Sequence, residues 1–176
     1  LLKEAKKNKI SNPTISLKKA KEALNLANEL NDIQTELELM VLIGSNLNRL
    51  TLFREAVKMG EDLIIKANAH NRPEFEATGR TIIAVAYAEV GNYDQSSKLY
   101  FENLTYYENI NDKESMGFTL GNIGADFLSQ KNYDKAFTYI KQSLDIALKI
   151  NNLILATDQY NNMAIVYQFG YNDLES

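Results

Sequence analysis

Residues 111–151 read NDKESMGFTLGNIGADFLSQKNYDKAFTYIKQSLDIALKIN, and this stretch decides the fold. Its apolar residues step by three and four: Leu120, Ile123, Gly124 and Phe127, then Phe137, Ile140, Leu144 and Ala147. Such spacing lays a stripe along one face of a helix and does not alternate as a half-buried strand does. The stretch therefore predicts two helices, over about 113–129 and 133–150, joined at Asn132, whose short amide suits a helix N-cap.

Working outward, the same signature recurs at a fixed interval of forty residues. Asn31, Asn71, Asn111 and Asn151 form one column, and Leu24, Ile64, Leu104 and Leu144 another. Leu30, His70, Ile110 and Ile150 form a third; Leu47, Tyr87, Phe127 and Tyr167 form a fourth. No insertion breaks the register, so the period spans the chain. Each unit reads as a leading helix (33–50, 74–90, 113–129, 153–169) and a trailing helix (13–30, 53–70, 93–110, 133–150). Eight Gly and two Pro among 176 residues are too few for a turn-rich β protein.

The punctuation agrees with these limits. Asn after each trailing helix tolerates the left-handed conformation that ends helices. Asp32 and Asp112 follow as N-caps, and Arg72-Pro73 places Pro where a missing N–H is harmless. Asn12, Asn92, Asn132 and Asn172 are expected to cap the helices that follow the other turns, with Leu52 breaking that column. Two columns of small residues, Gly44, Ala84, Gly124, Ala164 and Ser16, Ala56, Ser96, Ala136, predict close crossings of antiparallel partners.

Leu120, Ile123, Gly124 and Phe127 with Tyr133, Ala136 and Ile140, and the turn Gly91-Asn92-Tyr93-Asp94, resemble the tetratricopeptide repeat family. The resemblance covers the whole chain. It implies an all-α, right-handed α-solenoid of antiparallel helix hairpins, forming one repeat domain over 1–176. Its units are about 32–71, 72–111 and 112–151, with partial ones at 1–31 and 152–176. The usual unit is shorter, near thirty-four residues; units of forty with Asn after the trailing helix resemble those of bacterial signalling proteins and some eukaryotic polarity adaptors. The large residue that opens the leading-helix motif is Met40, Arg80, Leu120 or Tyr160, and Arg80 is a poor core residue. The chain opens at Leu1 without Met and ends within a unit, which predicts a piece of a longer protein.

In a stack of such hairpins the leading helices line the inner face. The angular positions that face away from the trailing helix are Glu38, Val41, Leu42, Ser45, Asn48 and Arg49; Thr78, Thr81, Ile82, Val85 and Glu89; Phe118, Asn122, Ala125 and Ser129; and Asp158, Asn161, Asn162, Ile165 and Phe169. Asn122 and Asn162 occupy equivalent positions, and an amide carries both donor and acceptor, so the pair can hold an extended peptide backbone. The resemblance implies that role, since inward Asn does this in tetratricopeptide peptide binders; the plainer alternative is solvated helix Asn. Asp158, Asn161, Thr81, Arg49 and Phe118 complete the expected partner-binding set. No Lys-rich pocket for a terminal carboxylate is present at these positions.

Other chemistry is poorly served. The net charge of −4 argues against a nucleic-acid surface. Lys3, Lys6, Lys7, Lys9, Lys18, Lys19 and Lys21 cluster at the start, read as a solvated helix surface, with an acidic-partner contact as the alternative. There is no Cys, and the lone His70 sits in an otherwise apolar column, where a half-buried structural role is expected. No metal set, cofactor loop or nucleophile–base pair appears, so neither enzyme activity, metal nor cofactor is expected. Nor is there an apolar run of membrane-spanning length. Tyr100 and Tyr107 fall on a core stripe, whereas Tyr106 is expected to be exposed. The expected function is protein or peptide binding, as the sensory or scaffolding part of a signalling or transcription-regulatory protein. The alternative is a spacer or homo-oligomerisation element, with a homodimer formed through the C-terminal helix.

Overall fold

A computed structural model describes Lys3 and residues 12–171. Among these residues the chain forms eight α-helices: α1 Pro13–Leu30, α2 Ile33–Arg49, α3 Phe53–Ala69, α4 Pro73–Glu89, α5 Tyr93–Asn109, α6 Lys113–Ser129, α7 Tyr133–Lys149 and α8 Leu153–Val166. A π-helical turn, Tyr167–Tyr171, continues α8. No strand occurs among the described residues. Lys6, Lys7, Lys9, Asn172 and the segment 173–176 lie outside them.

Seven turns share one construction. A left-handed residue stands at every twentieth position: Asn31, Thr51, Asn71, Gly91, Asn111, Lys131 and Asn151, with φ between 54° and 78°. At each, the N–H of the following residue reaches back five positions to a carbonyl, as Asp32 does to Ala27 (3.0 Å), Asn92 to Tyr87 (2.8 Å) and Asn152 to Ala147 (2.9 Å). The left-handed residue's own N–H reaches back three, which together makes a Schellman closure. Side chains then cap the next helix: Asn12, Asp32, Asp112, Asn132 and Asn152 accept from the N–H three residues on, at 3.0–3.3 Å. Leu52 and Arg72 offer no such bond. Identical turns of fixed length are why the period survives without insertion.

The described residues fall into two compact units, Leu1–Asn92 and Tyr93–Ser176. In the first, α1 to α4 pack consecutively and α2 also packs on α4. In the second, α5 to α8 do the same and α6 packs on α8. Each unit is thus a helical repeat solenoid of antiparallel hairpins. The trailing helices approach one another through long side chains, Lys66 to Asn28 (3.4 Å) in one unit and the Phe101 and Tyr139 rings (5.9 Å) in the other. Leu37, Ile43 and Leu63 are fully buried at the centre of the first core; Ile123, Ile140 and Leu155 are fully or almost fully buried in the second.

Several expectations are corrected. His70 is exposed, not half-buried, because its column lies at the helix end, where Leu30 and Ile110 are exposed too. Leu42 and Ile82 are buried rather than inward-facing: the methyls of Ile82 fill the space left by Gly44, where a Cβ would come within 2.7 Å. The small residue at 44 therefore serves the next leading helix, whereas Gly124 serves α7, where a Cβ would meet Ile140 at 2.7 Å. Ala164 of the same column is exposed. Tyr106 is half-buried, its ring 5.2 Å from that of Tyr107. Arg80 is accommodated by keeping its stem packed while the guanidinium lies 3.9 Å from Glu76.

One pair of facing positions alternates in polarity. In the α1–α2 hairpin, buried Asn46 donates to buried Ser16 (2.8 Å). The equivalents in α3–α4 are Ala56 and Ala86, both buried. In α5–α6 they are Ser96 and Asp126, and in α7–α8 they are Ala136 and Val166. A buried polar group needs a partner, so polarity is kept or lost on both helices together.

Candidate functional site

The leading helices of the second unit cross on two glycines. A Cβ at Gly117 would meet Leu155 at 2.8 Å, and one at Gly121 would meet the Gln159 amide at 2.7 Å. Leu155 and Gln159 lie one turn apart on α8, so the side chains of that helix seat directly on the bare backbone of α6. Glycine in a helix interior costs about 1 kcal/mol relative to Ala; close approach of α8 is what that cost secures. Ser143 of α7 closes the other side by donating to the Gly117 carbonyl (2.6 Å).

Alongside this crossing the two helices leave an open cleft of about 380 Å³. Phe118, Asn122 and Ala125 come from α6, and Asp158, Asn161 and Asn162 from α8, with Gly121, Leu155 and Gln159 at its floor. Phe118 is 42% exposed, Asn122 and Asn162 are half-buried, and Asp158 and Asn161 are exposed. The buried Gln159 accepts from the Asn162 amide at 3.4 Å, which steadies one wall. The cleft thus presents four amides, that of Gln159 at its floor, with one carboxylate and one aromatic face.

Five of the seven residues expected from the sequence, Asn122, Asn162, Asn161, Asp158 and Phe118, line this one cleft. Thr81 and Arg49 belong to the first unit. Thr81 turns its hydroxyl back to the Ala77 carbonyl (3.1 Å), and Arg49 is exposed in the last turn of α2. Asn48, also expected inward, donates to the Ile82 carbonyl at 2.9 Å, so its amide joins α2 to α4. The floor residues Gly121, Leu155 and Gln159, with Gly117 at the crossing beside them, escaped the sequence reading. The signal that marks them is two extra glycines one turn apart in an otherwise well-formed helix.

Two buried carboxylates lie elsewhere. Glu36 of α2 is 2% exposed and paired with Lys66 of α3. Asp126 faces α5, where Ser97 donates to Oδ2 at 3.5 Å and the buried Ser96 hydroxyl lies beside the same group without closing a well-formed bond. Burial pushes the Asp126 carboxyl up to about 6, and the serine hydroxyls offset only part of that. Among the described residues no group of three His, Cys, Asp or Glu side chains is placed to hold a metal ion, and no helix is long and apolar enough to cross a membrane.

Residues 76–149 match the tetratricopeptide repeat family, a non-catalytic repeat through which proteins contact one another. The crystal structure of BtubC (BKLC) from P. vanneervenii is similar in fold, with a TM-score of 0.71 and 16% identity, over 94% of this chain and 67% of that one. No curated protein sequence matches the chain.

Proposed function

We propose that this chain is a protein-binding module that docks an extended peptide segment in the α6–α8 cleft, as the sensory or scaffolding part of a signalling or transcription-regulatory protein. The observation that carries the reading is the convergence of Asn122, Asn162 and Phe118 on one open cleft. Paired amides satisfy the N–H and C=O of an extended backbone without dictating its sequence, and the ring supplies an apolar contact. Panning a randomised dodecapeptide library on the chain is expected to enrich binders. Asn122→Ala with Asn162→Ala should weaken them by roughly tenfold or more, as two lost hydrogen bonds require, with the helical circular dichroism unchanged. Binders that ignore the double substitution would end this reading.

A second reading is self-association through α8. Tyr160 is 54% exposed although its equivalents Met40 and Leu120 are buried, and Tyr167, two turns further along the same stripe, is 50% exposed. An apolar face of this kind favours pairing. Sedimentation equilibrium should then reveal a dimer that Tyr160→Glu dissociates; a monomer at all concentrations would exclude it.

A further inference from the structure

We infer that the α6–α8 cleft selects a basic segment, one that places a Lys or Arg side chain between Asp158 and Phe118; this deepens the peptide-docking reading and rests on it. Among the described lining residues Asp158 is the single charged side chain. The nearby carboxylate on α6, Glu114, is engaged by the Asn152 amide at 3.0 Å. The cation on the same first turn, Lys113, lies against the Met116 sulfur at 4.0 Å and does not line the cleft. The amides of Asn122, Asn161 and Asn162 are neutral, so they orient a backbone but do not choose its charge.

Charge selection is therefore left to Asp158 and the Phe118 face. A guanidinium or ammonium group gains an ion pair with the first and the negative face of the ring on the second. An acidic side chain in the same place meets a carboxylate, with no cation among the described lining residues to receive it. Both attractions act at exposed side chains, so together they are worth roughly tenfold in affinity, and salt screens the ionic part. The net charge of −4 works in the same direction, drawing cationic segments in and slowing the approach of anionic ones.

The test uses the panned library and three synthetic versions of its most enriched clone, with every basic position occupied by the native residue, by Gln or by Glu. Clones that depend on Asn122 and Asn162 should be rich in Lys or Arg, and the Glu version should bind weakest. Asp158→Asn should lower affinity for the basic version roughly tenfold and leave the Gln version nearly unchanged. Asp158→Lys should reverse the order of the basic and Glu versions. Asn-dependent clones without an excess of basic residues, or with affinity that Asp158→Asn does not alter, would overturn the charge selection alone. Clones insensitive to every cleft substitution would overturn the docking reading with it.

Discussion

Gly60 and Gly79 face each other across the α3–α4 hairpin so closely that a Cβ on either would lie 2.9 Å from the carbonyl oxygen of the other. Ile83 and Ile64 close over the two positions, at 2.5 and 2.7 Å from those same Cβ sites. The contact is backbone against backbone, and neither helix can yield by turning a side chain.

Gly60→Ala and Gly79→Ala are each expected to destabilise the chain. Alanine gains about 1 kcal/mol of helix propensity, but overpacking a rigid crossing costs about 1–3 kcal/mol, and here the obstacle is backbone. Urea unfolding should show a net loss of about 1–2 kcal/mol for each. The double substitution should lose less than the sum, because either methyl already forces the helices apart. A stabilised single variant would contradict the geometry.

Asp126 makes stability depend on pH. Its carboxyl titrates at about 6 in the folded chain, against about 3.9 when unfolded. Between these values the folded protein keeps a proton that the unfolded chain has released. This group's contribution is therefore fully present below about pH 4 and is lost as pH rises through about 6, at most about 3 kcal/mol in all. Asp126→Asn copies the Asn46–Ser16 pair of the first hairpin. It should be more stable than wild type at pH 7.5 by roughly 1–3 kcal/mol and lack this part of the pH dependence. Parallel urea midpoints from pH 4 to 8 for the two proteins would refute it.

Thr51 holds φ at 58° with a β-branched side chain, where Asn31, Asn71, Asn111 and Asn151 do the same work at the ends of the trailing helices. The left-handed region costs an L-residue roughly 1–2 kcal/mol, which glycine escapes. Thr51→Gly should raise stability by about 1 kcal/mol after the loss of unfolded-state restriction. The neighbouring Leu52→Asp supplies the cap that α3 lacks and should add about 1 kcal/mol. Thermal melts of both variants check these gains.

Lys66 is the counter-charge of buried Glu36. Removing one partner of such a pair strands the other, at about 3–5 kcal/mol for a fully buried pair; Lys66 is 29% exposed, so about 2–3 kcal/mol is expected. Lys66→Met should thus destabilise strongly, while Lys66→Met with Glu36→Leu should recover most of the loss. A double variant no better than the single one would show that the pair is not the source.

Which of these features the sequence announces follows from their range. Except at the end of α8, expected at 169 but passing into a π-helical turn after Val166, the helix limits were legible to within a residue or so because helices begin and end by local chemistry. Asp32, Asp112 and Asn132 cap through their own side chains, and Asn tolerates positive φ. Thr51 and Lys131 were not legible as left-handed, because neither residue type prefers that conformation; the turn geometry imposes it. In the cleft, Asn122, Asn162, Asp158 and Phe118 were found by angular position. The floor of Gly121, Leu155 and Gln159 was not, since it depends on how near α8 comes.

By itself the sequence determined the period, the helices, their Asn closures and the pairing of consecutive helices within each unit, since each rests on contacts between residues close along the chain. Only the tertiary structure decided which inward positions stay open. Leu42 and Asn122 stand in one column, yet one is buried and the other borders a cleft. The reason is that a third helix, thirty or more residues away, covers a position or leaves it bare, and no pattern within a single hairpin records how closely that helix approaches.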